Sequence, residues 1–144
     1  MGKSTYDTDF YGWANEQAAL LRAGDLEAAD LANIAEEIES MGKSEKRELI
    51  SRLAVLLTHL LKWRFQPGGR GSSWKASIRV QRIRISDHLV DNPSLKPKIP
   101  EAVSRAYDEA VIVAADETKL GEAVFPTICP WSFDEILNSG FWPD

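Results

Sequence analysis

Residues 44–65 read SEKRELISRLAVLLTHLLKWRF, and the fold turns on this stretch. Leu49, Ile50, Leu53, Leu56, Leu57, Leu60 and Leu61 recur at three- and four-residue intervals, the period of an α-helix. They occupy a broad arc of its circumference. A helix that apolar is buried on several sides, so this one is placed at the centre. Working upstream, Leu31, Ile34, Ala35, Ile38 and Met41 form the stripe of a separate helix. It starts near Glu27, or at Asp30 as N-cap, and Gly42 stops it. Before it, a first helix spans about Asp9 to Ala23, capped by Asp7 or Thr8 and stopped by Gly24. Downstream, the loop Pro67-Gly68-Gly69-Arg70-Gly71 leads to a fourth helix, capped by Ser72 or Ser73 and running to about Asp91. Trp74, Ile78, Ile85 and Leu89 are its main stripe, with Val80, Ile83 and Val90 on another face. Pro97 and Pro100 precede a fifth helix, about Glu101 to Thr118, whose small Ala102, Ala106, Val113 and Ala114 predict close packing. Ser132-Phe133-Asp134-Glu135 has the capping-box pattern of one short helix ending near Gly140. Alternating strand patterns are absent.

The expected fold class is therefore all-α: a bundle of about five helices, with the apolar third at the centre. At 144 residues, 44% apolar and 27% charged, residues 1–144 read as one helical domain. Tyr6, Phe10, Tyr11 and Trp13 crowd one end, and Phe125, Trp131, Phe133, Phe141 and Trp142 the other. Large rings carry much burial area, so both ends are expected to pack over the bundle. A partner-binding patch is the competing reading. Cys129 is the single cysteine, which fits a reducing compartment and a cytoplasmic location. No run approaches the ~20 apolar residues of a membrane span. The polar start, with Asp7 and Asp9, is no secretory signal.

The combination of motifs is specific. Tyr6-Asp7-Thr8-Asp9-Phe10-Tyr11-Gly12-Trp13 leads to Glu16-Gln17-Ala18-Ala19-Leu20-Leu21, and Ala35-Glu36-Glu37-Ile38-Glu39-Ser40-Met41-Gly42 to Ser44-Glu45-Lys46-Arg47-Glu48-Leu49. His59-Leu60-Leu61-Lys62-Trp63, Ser73-Trp74-Lys75-Ala76-Ser77-Ile78-Arg79, Cys129-Pro130-Trp131 and Phe141-Trp142-Pro143 follow. Together they resemble the bacterial domain-of-unknown-function family numbered twenty-nine, over nearly the whole chain. The resemblance implies an all-helical bacterial protein. It implies no activity and carries over no functional residue.

Charge is distributed in blocks. Residues 43–84 hold eleven Lys or Arg against Glu45 and Glu48, a net of +9; residues 1–42 and 85–144 are each at −7. The plain account is pairing between acidic and basic helices, largely as solvated rim pairs. The sharper one is a basic face for phosphate or nucleic acid, opposed by the overall charge of −5. A glycine-rich loop entering a helix offers N–H groups and a positive dipole end to an anion. The expected anion site comprises Arg70, Ser72, Ser73, Lys75 and Arg79, with Trp63 and Trp74 available to stack on a base. Gly2-Lys3-Ser4 and Gly42-Lys43-Ser44 echo the end of a phosphate-binding loop. The required first glycine is missing in both, Glu37 standing in its place for the second, so both are chance matches.

Metal binding has a thin basis. The Glu-x-x-His spacing of bundle metal sites is absent. His59 and His88, the only histidines, could join Glu37 to hold one metal if three helix edges meet. Arg82 falls on the apolar stripe beside Ile78, where a guanidinium needs a partner. Glu37, or its neighbours Glu36 and Glu39, is expected to form a structural buried pair with it. Cys129 reads as structural and no nucleophile constellation stands out. No catalytic residue and no cofactor is assigned. The first functional reading is a non-catalytic interaction or regulatory module, with a protein partner or self-association and no membrane contact. The alternatives are a phosphate- or nucleic-acid-binding domain using residues 43–84, and a metal-dependent enzyme.

Overall fold

A computed structural model describes residues 5–144. Among them are five α-helices and no strand: α1 (Phe10–Arg22), α2 (Leu31–Phe65), α3 (Ser72–Asp91), α4 (Ile99–Thr118) and α5 (Phe133–Leu137), with 3-10 turns at Pro67–Gly69, Pro93–Lys98 and Glu122–Val124. The all-α bundle expected from the periodicity is what forms. The chain divides into two compact units, the first up to Ser44 and the second Glu45–Asp144.

The expected second and third helices are one. α2 runs unbroken for 35 residues, through Gly42. A glycine stops a helix when it takes a left-handed conformation at the C-terminus. Gly42 is not among the residues with positive φ, and the helical residues on either side carry the ladder through it. Its cost is then only the ~1 kcal/mol of a helix-interior glycine. Gly24 does act as a stop. It sits at φ 76°, and Gly24 N–H donates to Leu21 O while Asp25 N–H donates to Leu20 O, which closes α1.

In the first unit, α1 is capped by Asp9, whose side chain accepts from Gly12 N–H. Asp30 joins the two helices. It caps α2, accepting from Asn33 N–H and from Asn33 Nδ2, and it accepts from Trp13 Nε1 at 3.1 Å. Its own N–H donates to Gln17 Oε1 at 2.7 Å. The Tyr6, Phe10 and Trp13 rings pack together edge-on or tilted, at 4.8–5.8 Å between centroids.

In the second unit, Leu49, Leu53, Leu56, Leu57, Leu60 and Leu61 are fully buried, as the sequence pattern requires. Lys46–Glu101 and Lys62–Glu117 pair with the same sequence offset, so this part of α2 and α4 run parallel. Ala102, Ala106, Ala110 and Ala114, one per turn and all buried, form the close seam on α4. Val113, expected on that seam, is exposed; Ala110 takes its place. α3 returns antiparallel, with Ile78, Ile85 and Leu89 inside and Val80, Ile83 and Val90 outside. It begins after an extended Gly71, with no side-chain cap from Ser72 or Ser73. Both serines lie inside the first turn, where they cannot act as N-cap. At the C-terminus, Ser132 and Glu135 complete the expected capping box of α5. Phe125, Trp131 and Ile136 are buried, and Phe133, Phe141 and Trp142 pack on the same core.

Candidate functional site

Part of the loop expected to bind an anion makes structural bonds. Gly69 N–H donates to Gln66 O and Arg70 N–H to Pro67 O, making a tight 3-10 turn. Arg70 turns back: Nε donates to Trp63 O at 2.6 Å, Nη2 reaches Pro143 O at 3.4 Å, and the guanidinium lies over the Trp63 ring. Trp63 is buried and tilts against Trp142 at 4.7 Å. Trp74 closes over Gly69, so a Cβ there would meet the indole at 2.4 Å. Lys62 sits over that indole and pairs with Glu117. Of the expected set, Ser72, Ser73, Lys75 and Arg79 are exposed at the start of α3. Gly42-Lys43-Ser44 is helical, and Gly2-Lys3-Ser4 lies outside the described residues.

Arg82 is 4% exposed, as its place on the stripe predicts, but its partners are not carboxylates. Nε donates to Ile136 O and Nη2 to Phe141 O, both at 2.8 Å, and the guanidinium lies 5.4 Å from the Trp142 ring centre. The correction has a simple cause. Ile136 O is among the last carbonyls of α5, which lack intrahelical donors. Phe141 O lies in the tail beyond it, and a planar guanidinium can serve both at once. Burial lowers the Arg82 pKa. Glu37, the partner expected from sequence, accepts instead from the Tyr6 hydroxyl, whose pKa that bond helps push up to about 12.

The two histidines do not meet. His59 lies on α2, and its Nδ1–H donates to Val55 O one turn back, at 2.9 Å. It stands about 16 Å along the axis from Glu48. His88, on α3, is 8% exposed and faces the start of the second unit's first helix segment. Its Nε2 lies 2.8 Å from Glu45 O and 3.6 Å from Glu45 Oε2, and its Nδ1 lies 3.2 Å from Glu48 Oε2. Arg52 holds the other Glu48 oxygen, with Nη2 at 2.8 Å and Nε at 3.2 Å. That bond, with the His88 ring beside it, lowers the Glu48 pKa. Among the described residues, Glu45, Glu48 and His88 are the one group whose ligand atoms lie within 4.8 Å of one another. They line an open cleft of about 490 Å³ with Arg52, Arg84, Asp87, Asp91 and Asn92.

In the first unit, Phe10, Ala14, Ala18, Leu21, Ile34, Ile38 and Met41 line an apolar groove of about 430 Å³ between α1 and α2. Phe10, Ile38 and Met41 are 50, 62 and 66% exposed there. Comparison with known families places this chain. The model of the family described as "Domain of unknown function DUF29" matches residues 5–142. The chain belongs to the DUF29 family. No curated protein and no solved structure matches it. Family membership therefore adds no ligand or reaction to the geometry.

Sequence reasoning missed Glu45 and Glu48. Their Glu-x-x-Glu spacing puts both on one helix face, a signal that was readable. What was not readable is the register that sets His88 opposite them. No helix among the described residues is long and apolar enough to cross a membrane.

Proposed function

We propose that this DUF29 chain is a non-catalytic protein-interaction module, and that the groove between α1 and the start of α2 receives an amphipathic helix with basic flanks. The observation that carries the reading is the run of exposed apolar side chains along that groove, Phe10, Leu21, Ile38 and Met41. A helix-in-groove partner reads such a surface through anchors spaced three and four residues apart. Charge favours a basic partner: residues 1–42 hold nine acids and two bases. The same charge disfavours two copies meeting groove to groove. The single cysteine fits a role in the bacterial cytoplasm.

The test titrates the full chain with a synthetic helix carrying a leucine stripe and lysine flanks, beside a scrambled peptide of the same composition. The striped peptide binds, binding weakens as salt rises, and Ile38→Glu with Met41→Glu abolishes it while the helical circular dichroism stays. Equal binding of both peptides, or unaltered binding by the double variant, refutes the reading. A photo-crosslinker at position 38 then identifies the partner in cells. Crosslinking to a second copy of the chain would replace the basic helix with a homodimer.

A further inference from the structure

We propose that Glu45, Glu48 and His88 form a binding site for a divalent transition-metal ion, separate from the groove of the first unit. The case begins with the imidazole. Its Nε2 lies 2.8 Å from the Glu45 carbonyl oxygen, an acceptor that fixes the proton on Nε2. In the neutral ring Nδ1 then carries a lone pair, and it faces Glu48 Oε2 at 3.2 Å. Two lone pairs opposed at that distance repel each other, and a metal ion between them would be bound by both. An N–O separation of 3.2 Å subtends about 100° at a metal bound with bonds of about 2.1 Å. That angle suits tetrahedral or octahedral coordination.

The surroundings have the features of a metal site. A histidine ligand usually donates its second N–H to a carbonyl or carboxylate, and ligating carboxylates are themselves hydrogen-bonded. Glu45 O serves His88, and Arg52 holds the Glu48 oxygen that faces away from the ring. Glu45 offers the third ligand, one ligand atom of each residue lying within 4.8 Å of the others. Its Oε2 is 3.6 Å from Nε2, so its exposed carboxylate must turn to reach a metal held on Nδ1. The cleft opens on them and leaves room for water at the remaining positions. Asp87 and Asp91 on its wall offset Arg84 and Arg52. One imidazole with two carboxylates suits Zn2+, Ni2+, Co2+ or Mn2+ and is a poor set for Mg2+ or Ca2+, which take oxygen ligands.

The experiment titrates the full chain with Zn2+ against a chromophoric chelator and with Co2+ by visible absorption. The wild type takes up one equivalent of either ion, and Mg2+ at the same concentration does not compete. His88→Gln and Glu48→Gln each weaken binding at least ten-fold, whereas His59→Gln and Cys129→Ser leave it unchanged. Failure of the wild type to bind an equivalent overturns the proposal. Equal affinity in His88→Gln and Glu48→Gln overturns it too. Should those variants lose helical signal, paramagnetic broadening by Co2+ in the wild type decides: the His88 ring broadens first, and broadening of His59 first refutes the site.

Discussion

Replacing Arg82 by Met tests whether the buried guanidinium is what holds the C-terminal segment. Met keeps most of the stem's volume and removes every donor. Two charge-assisted hydrogen bonds are lost, Nε to Ile136 O and Nη2 to Phe141 O, each at 2.8 Å. Bonds of that kind contribute about 1.5–3 kcal/mol each. The loss is offset in part because the charge no longer has to be desolvated, and Nη1 is buried without a partner. The net destabilisation is about 3 kcal/mol, or roughly a 150-fold shift in the folding equilibrium. For a chain of this size the thermal midpoint falls by about 10 °C. Urea unfolding followed by far-UV circular dichroism measures the energy. Amide exchange locates it: Phe141 N–H is bonded to Asn138 O, and its protection should drop before that of α2. Arg82→Lys should fall between the two, since a compact ammonium does not span both carbonyls. If Arg82→Met is as stable as the wild type with Phe141 equally protected, the desolvation cost cancels the bonds and the reasoning fails.

Gly42→Ala should stabilise the protein by about 0.5–1 kcal/mol, because Gly42 is helical and a Cβ there meets nothing within 4 Å; a lower melting temperature would mean the glycine is needed for a bend. Asp30 has its pKa lowered, chiefly by the Asn33 side-chain hydrogen bond, with the Trp13 bond adding to it. A depressed folded pKa gives stability that is present above the unfolded value of about 3.9 and lost as pH falls through the folded pKa. Asp30→Asn should therefore flatten the acid limb of an unfolding-versus-pH curve, and an unchanged limb would refute the assignment. Burial raises the Cys129 pKa, so its alkylation near pH 8 should be slower in the native protein than in urea. Equal rates would contradict the burial.

The residues that made the fold legible share one property: their signal is local. The leucines of 49–61 give the central helix because a one-sided period of 3.6 has one efficient burial, and all of its leucines are buried. Ser132 and Glu135 give their short helix because a capping box closes within four residues. Gly24 and Gly42 mark the limit. Both follow apolar stripes, yet only Gly24 takes positive φ. Asp25 N–H reaches back to Leu20 O after Gly24, whereas a run of good helix formers continues past Gly42.

What needed tertiary structure was every choice of partner. The sequence determined an all-helical chain, the buried place of Arg82 and the blockwise charge. It could not set which polar group Arg82 would meet, because carboxylates and free backbone carbonyls can both satisfy a guanidinium, and only the return of the tail put Ile136 O and Phe141 O within reach. Likewise the histidines, Glu37, Glu45 and Glu48 were all visible as ligand types. The rotation of α3 against α2 selected His88 with Glu45 and Glu48, and left His59 on its own helix carbonyl. Helix formation is decided by neighbours along the chain, while ligand sets depend on the relative register of packed helices, fixed by the interlocking of whole apolar faces.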